Sequence, residues 1–165
     1  MPLLVTWRQK GHRVNITATF DADKFEQDII AKVESVRLHT IEAMTATVYD
    51  IVMMNFGPTG VDRPLPWAPL SNRAPYFYAN KVGRPFATLR VTGAMEQAVR
   101  HSVTPEAGSV SLSDDDCSYA TKHHFGTDIL PIRRVFPINL DDTITDYTES
   151  AVIAAAATAL EAELK

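Results

Sequence analysis

Residues 22–58 read ADKFEQDIIAKVESVRLHTIEAMTATVYDIVMMNFGP, and the fold is read outward from them. Phe25, Ile29, Val33, Val36, Ile41, Met44, Val48, Ile51 and Val52 recur at steps near the helical repeat. That spacing predicts one long helix over 22–56, with its apolar face packed on the rest of the domain. Glu34, Arg37 and Glu42 fall on the opposite face. Asp23 and Glu26 stand three apart in the pattern of a capping box, which sets the expected start. Gly57-Pro58 sets the end, because proline cannot continue the backbone ladder. A helix of thirty-odd residues spans about 50 Å. In so small a domain it must bend or project beyond its own core, which leaves part of its surface for a neighbouring subunit.

Before this helix, Leu3–Arg8 and Arg13–Phe20 read as two strands joined by a turn at Lys10-Gly11. In the second, Val14, Ile16, Ala18 and Phe20 alternate with Arg13, Asn15, Thr17 and Thr19, the period of a strand. After the helix, residues 57–91 hold Pro58, Pro64, Pro66, Pro69, Pro75 and Pro85, a spacing through which no regular element runs. The same stretch carries Trp67, Leu70, Tyr76, Phe77, Tyr78 and Phe86. Disordered linkers are poor in aromatics, so this loop either folds over its own core or docks on a neighbour.

Residues 92–102 suggest a short helix capped by Thr92, with Met95, Ala98 and Val99 inward. Residues 109–113 alternate as a strand, 117–125 fit strand or helix equally, and 134–140 read as a last strand with Pro137 at an edge. Residues 142–164 form an Ala-rich terminal helix, with Asp146 and Glu149 repeating the capping pattern. No internal repeat or domain boundary is visible. The expected fold is α+β: a single domain over 1–165, an antiparallel β-sheet with one long N-terminal helix, a short helix and a C-terminal helix.

The composition is that of an ordinary globular protein: 165 residues, 45% hydrophobic and 22% charged. With a net charge of -4 and no basic run, the chain is a poor default nucleic-acid binder. Lys10, His12 and Arg13, or Arg133 and Arg134, are too few to form a patch. The N-terminus lacks the features of a signal peptide, and no apolar run spans a bilayer. Cys117 is the sole cysteine, so no intrachain disulfide forms.

Catalytic and metal patterns are absent. Cys117 lies near His123 and His124 in sequence and could be a nucleophile, but a small residue beside a strand is the favoured reading, because a catalytic Cys/His pair is set by spatial geometry and not by sequence proximity. Were 117–125 a strand, His123 and His124 would point to opposite faces and could not share an ion. With His12, His39 and His101 they match no zinc pattern, and Asp114-Asp115-Asp116 is followed by Phe125 where a calcium loop needs its terminal Glu. No phosphate-binding glycine motif and no GxSxG occurs. The expectation is no enzyme, no cofactor and no metal.

Trp67-Ala68-Pro69-Leu70-Ser71 resembles the W-x-P-L-S element of the phage virion morphogenesis family, which includes tail completion proteins. Leu89-Arg90-Val91-Thr92-Gly93-Ala94-Met95 resembles its L-x-x-T-G-x-L element. Tyr119-Ala120 followed by Lys122-His123-His124-Phe125-Gly126 resembles Y-A-x-x-H-Q-F-G, with His124 in place of Gln. Pro131-Ile132-Arg133 resembles P-A-R, while Arg134 and Val135 depart from the Pro-Phe that follows it in the family. The blocks cover about residues 67–136 and occur in the family's order.

The resemblance implies a structural virion protein, made in the bacterial host cytoplasm and resident in the tail or neck. It implies a closed homo-oligomeric ring of six copies at the head-proximal end of the tail. Such a ring terminates the tail tube and joins it to the head connector. Its partners would be its own copies, the tail tube or sheath protein and the head-tail connector protein. DNA would pass through the lumen without specific binding, and no membrane is involved. A head-side connector or stopper, another minor virion protein, or a small hydrolase are the alternatives. A closed ring needs a head-to-tail interface, and Trp67, Pro69, Leu70, Tyr76, Phe77, Tyr78 and Phe86 are the candidates for it. Trp67 could equally be a core residue. Thr92, Gly93, Tyr119, Ala120, His123, Phe125, Gly126, Pro131 and Arg133 read as structural.

Overall fold

The computed structural model describes residues 3–9, 12–18, 21–57, 60–65, 67, 89, 93–113, 115–128 and 130–164. The chain divides into two compact units, Met1–Arg37 and Leu38–Lys165. In the first, strands β1 (Leu3–Gln9) and β2 (His12–Ala18) pair antiparallel, in register from Leu3↔Ala18 to Gln9↔His12. The pairing of Gln9 with His12 leaves two positions for the connection, as the sequence pattern requires. The expected turn residues Lys10 and Gly11, and Phe20, lie outside the described residues.

Helix α1 runs over Ala22–Asn55. Its start is fixed by Asp21 rather than Asp23: the Asp21 carboxylate accepts from the Lys24 backbone N–H at 3.0 Å, the geometry of an N-cap. The expected apolar face is packed only over part of the helix. Ile51 and Val52 are buried, and the next residue after the helix, Phe56, is buried with them. Phe25, Ile29, Ile30 and Val33 are 48–62% exposed.

The second unit corrects the expected fold. After the end of α1 come α2 (Ala94–Gln97), β3 (Arg100–Val103), β4 (Gly108–Ser111), α3 (Ala120–Phe125) and α4 (Asp146–Glu163). The described residues therefore hold four helices and two separate two-stranded sheets, β1-β2 and β3-β4, instead of one antiparallel sheet with three helices. The helix expected over 92–102 stops at Gln97, because the backbone from Arg100 onward is taken up by the ladder with β4. Met95, Ala98 and Val99 are nevertheless buried, as their spacing suggested. Thr92 lies outside the described residues, and Gly93, at φ 76, stands at the N-cap of α2. Residues 117–125, open between strand and helix, contain α3.

The last strand expected at 134–140 is not formed. Side chains and turns take its backbone groups: Arg134 Nη1 donates to the Ile138 carbonyl at 3.0 Å and also to that of Asn139, and Asn139 N–H donates to Thr143 O. Only an isolated bridge, Ile138↔Ile144, remains. Helix α4 begins four residues later than expected, and its N-cap is Thr145, whose hydroxyl accepts from the Thr148 N–H at 3.4 Å.

Val52, Phe56, Met95, Val99, Cys117 and Val135 are central to the core of this unit. The β3–β4 hairpin lies hard against α1: a Cβ on Gly108 would overlap the Thr45 hydroxyl, so only glycine fits there. A polar residue, Asn55, sits fully buried at the end of α1. Its side-chain NH2 donates to the carbonyls of Asp62 (2.8 Å) and Val135 (2.9 Å). Its side-chain oxygen accepts from the N–H groups of Val61 (3.0 Å) and Asp62 (2.9 Å). All four hydrogen-bonding valences of the amide are thereby used.

Asp62, placed by these bonds, accepts at its Oδ2 from the Thr145 hydroxyl and, at 2.5 Å, from the Thr148 hydroxyl. A carboxylate thus meets the positive end of α4. Replacing Asn55 by Leu, of similar volume, strands the backbone groups of Val61, Asp62 and Val135. We expect Asn55→Leu to lose about 3 kcal/mol or more of stability in urea titrations, and a loss below about 1 kcal/mol would contradict the role given to the amide.

Candidate functional site

The residues singled out by the motifs gather around α3 and the segment after it. Tyr119 precedes α3 and meets the His123 ring edge-on, with centroids 5.8 Å apart at 87°. The His123 carbonyl accepts from the Arg133 N–H at 2.7 Å, which ties the end of α3 to the chain returning from Pro131. Between them the backbone must reverse, and Gly126 makes this possible. Its φ is 74°, and a Cβ there would lie 2.9 Å from Ile132 Cγ1 and 3.1 Å from the Leu130 carbonyl. Ala120 and Arg133 are buried, whereas Pro131 is exposed and Phe125 is 60% exposed.

Trp67 joins this region from the loop after α1. It is partly buried against the core, and its indole N–H donates to the Arg134 carbonyl at 2.9 Å. The Arg63 guanidinium lies 3.6 Å from the centre of the Trp67 ring. The same guanidinium donates from Nε (2.9 Å) and Nη2 (2.5 Å) to the Asn55 carbonyl, and from Nη2 to that of Gly57. It therefore supplies a cation to the negative end of α1 while stacking on an aromatic face. Pro69, Leu70, Tyr76, Phe77, Tyr78, Phe86 and Thr92 lie outside the described residues.

Because residues 120–125 are helical, the argument that His123 and His124 point to opposite faces of a strand does not apply. Both line one cavity of about 320 Å³, together with Phe125, Arg133, Val135 and Phe136. The His124 ring meets Phe125 and Phe136 edge-on, with centroids 4.8 and 5.9 Å apart. His123 Nδ1 is buried and has no hydrogen-bond partner among the described residues, so none of them supplies the orienting acceptor that a general base relies on. Cys117 is 4% exposed, inside the core. Among the described residues no group of three or more His, Cys, Asp or Glu is placed to hold a metal ion. Among them, too, no helix is long and apolar enough to cross a membrane.

Asn55, Asp62 and Arg63 were missed by sequence reasoning. The signal for Asn55 was its position, in phase with Val48, Ile51 and Val52 on the buried side of α1, where a polar residue must find partners. Asp62 and Arg63 stood in a Pro-rich loop whose aromatics drew the attention.

Comparison of the chain with protein-family models, with curated proteins and with solved structures gives no match.

Two outcomes follow from this geometry. Burial, and then the nearby Arg133, holds the His123 imidazole below its ordinary pKa of 6.5. Burial, and then Arg134, does the same for His124, partly offset by Asp142. The folded chain therefore binds fewer protons than the unfolded chain once pH drops below 6.5, and stability is lost as pH falls through that window. The melting temperature should be level above about pH 7.5 and decline from about 6.5 towards 5, with a shallower decline in the His123→Gln/His124→Gln double variant. Separately, Trp67→Phe removes one hydrogen bond and should cost about 1 kcal/mol, whereas Trp67→Ala should cost about 3–5 kcal/mol. Equal losses in denaturant titrations of the two variants would show that the ring itself contributes nothing.

Proposed function

We propose that this chain is a structural protein of a tailed bacteriophage, a subunit of the ring that terminates the tail at its head-proximal end and joins it to the head connector. The observation that carries this reading is the order of four sequence blocks: Trp67 to Ser71, Leu89 to Met95, Tyr119 to Gly126, and Pro131 to Arg133. A mechanical role for these residues is supported by what they touch. Tyr119 packs on His123, the His123 carbonyl holds Arg133, Gly126 permits the reversal and Trp67 clamps the Arg134 carbonyl. Each contact fixes the course of the backbone, and none of them presents a reactive atom to solvent.

A ring subunit must bind its neighbours, the tail tube or sheath below and the connector above. It must also let DNA pass. The net charge of -4 suits a lumen that repels phosphate instead of gripping it. A small hydrolase acting through Cys117 draws no support from a thiol enclosed in the core.

The test is quantitative mass spectrometry of whole particles, and of isolated tails, from the phage or prophage that encodes the chain. About six copies in both samples are expected, the ring being closed by a single repeated interface. Presence in particles but not in tails would move the chain to the head side as a connector or stopper. Absence from both would remove the structural reading.

A further inference from the structure

Helix α4 carries an acidic and apolar stripe along one side. Asp146, Glu149, Ile153, Ala157, Leu160 and the C-cap Leu164 follow at steps of three or four, which at about 100° per residue puts them within one sector. All six are exposed, and the large apolar ones are Ile153 (63%), Leu160 (41%) and Leu164 (80%). The side marked by Thr148, Val152 and Ala156 is the more buried one. The helix holds Asp146, Glu149, Glu161 and Glu163 and no Lys or Arg, and Glu163 is engaged by His39 at 2.6 Å. Lys165 is the one basic residue in the sequence after Arg134.

The surface around α3 has the opposite character. Residues 117–125 carry Lys122, His123 and His124 and no Asp or Glu. The cavity of about 320 Å³ beside this helix has Arg133 in its lining and, among the described lining residues, no carboxylate. Arg134 also acts on His124, with Asp142 offsetting it in part. Leu112, Val135 and Phe136 give the cavity apolar walls. Phe125 lines it too and is 60% exposed, so the cavity reaches the surface there. An apolar cavity of about 150 Å³ holds a benzene-sized group, so this one has room for two aliphatic side chains.

We propose that α4 of one copy docks on the α3 cavity of the next, with Leu160 and Leu164 entering the cavity and the carboxylates of α4 facing the basic surface of α3. The inference rests on the ring reading and deepens it, because it names the surface by which the copies join. A second copy is the occupant because two different surfaces of this one chain match in apolar character and oppose in charge, whereas two acidic α4 helices would repel each other. Both surfaces belong to the unit Leu38–Lys165, so each copy contributes one of each kind. The contact is therefore head-to-tail and repeats from copy to copy until the ring closes. Apolar burial supplies the attraction, and the opposite charges set which face meets which.

The test uses the full chain in sedimentation velocity at about 100 µM, where even a micromolar interface is saturated. The wild type is expected to assemble beyond a dimer. Leu160→Asp and Phe125→Asp, both at exposed positions and so compatible with the fold, are each expected to weaken association by roughly a hundredfold or more. Circular dichroism checks that each variant is folded, and Ile153→Asp replaces Leu160→Asp, or Lys122→Glu replaces Phe125→Asp, if it is not. An equimolar mixture of the α4 variant and the α3 variant should form a dimer and nothing larger, since one intact α4 stripe meets one intact cavity. Glu149→Lys/Glu161→Lys should weaken assembly roughly tenfold.

A wild type that stays monomeric or stops at a dimer, a folded α4 or α3 variant that assembles like the wild type, or a mixture that yields no dimer would each overturn the proposal. Particles that still incorporate either variant at full copy number would overturn this interface while leaving the ring reading intact. Absence of the chain from particles would remove the ring reading, and the interface would still be decided in solution.

Discussion

The side-chain amide of Asn55 is the constraint on which the second unit depends. It lies at the end of the long helix and holds three separated stretches at once: its own helix, the turn at 61–62 and the segment at Val135. From the turn, Asp62 reaches the first turn of α4, and Arg63 reaches back to the last carbonyls of α1 while supporting Trp67. From the other side, Trp67 holds the carbonyl of Arg134. A hydrophobic residue at position 55 would fill the same volume but would specify none of these partners. Buried polar groups with every valence used fix a single arrangement, where apolar packing alone tolerates several.

This explains which parts of the fold were legible. The long helix and the N-terminal hairpin follow from local periodicity and from the Gly57-Pro58 stop, and both are found close to where the pattern puts them. The caps moved because two short polar residues compete within a turn, and which one is used is settled by neighbours. Asp21 takes the place of Asp23, and Thr145 is selected by Asp62, 83 positions away in sequence. The strand at 100–103 and the irregular course of 134–140 were not legible for the same reason. The partners of these backbone groups are β4 in one case and the Arg134 side chain in the other, neither of which a local window contains.

The candidate site was legible as a set of residues but not as an arrangement. Tyr119, His123, Gly126 and Arg133 were picked out together, and they do meet. Their element stayed open between strand and helix because six residues with two histidines carry no decisive period. The helix placed His123 and His124 on one cavity, where a strand would have separated them. The apolar face of α1 shows the converse limit. Periodicity identifies which residues share a face but not how far that face is buried, and Phe25, Ile29 and Val33 are 48–62% exposed.

The gradient of burial along α1 has a consequence for how the molecule breathes. The last turn of the helix is anchored in the core by Val52, Asn55 and Phe56, whereas residues 23–34 of its first turns are exposed. Opening of the amides near Asn55 requires the core to unfold, whereas those near the exposed Phe25 can open with less of the core disturbed. Hydrogen exchange along this helix should therefore spread over many orders of magnitude in rate within a single element. Such a helix is a local clock of its own surroundings: anything that further buries the exposed first turns slows exchange there and leaves the last turn unchanged.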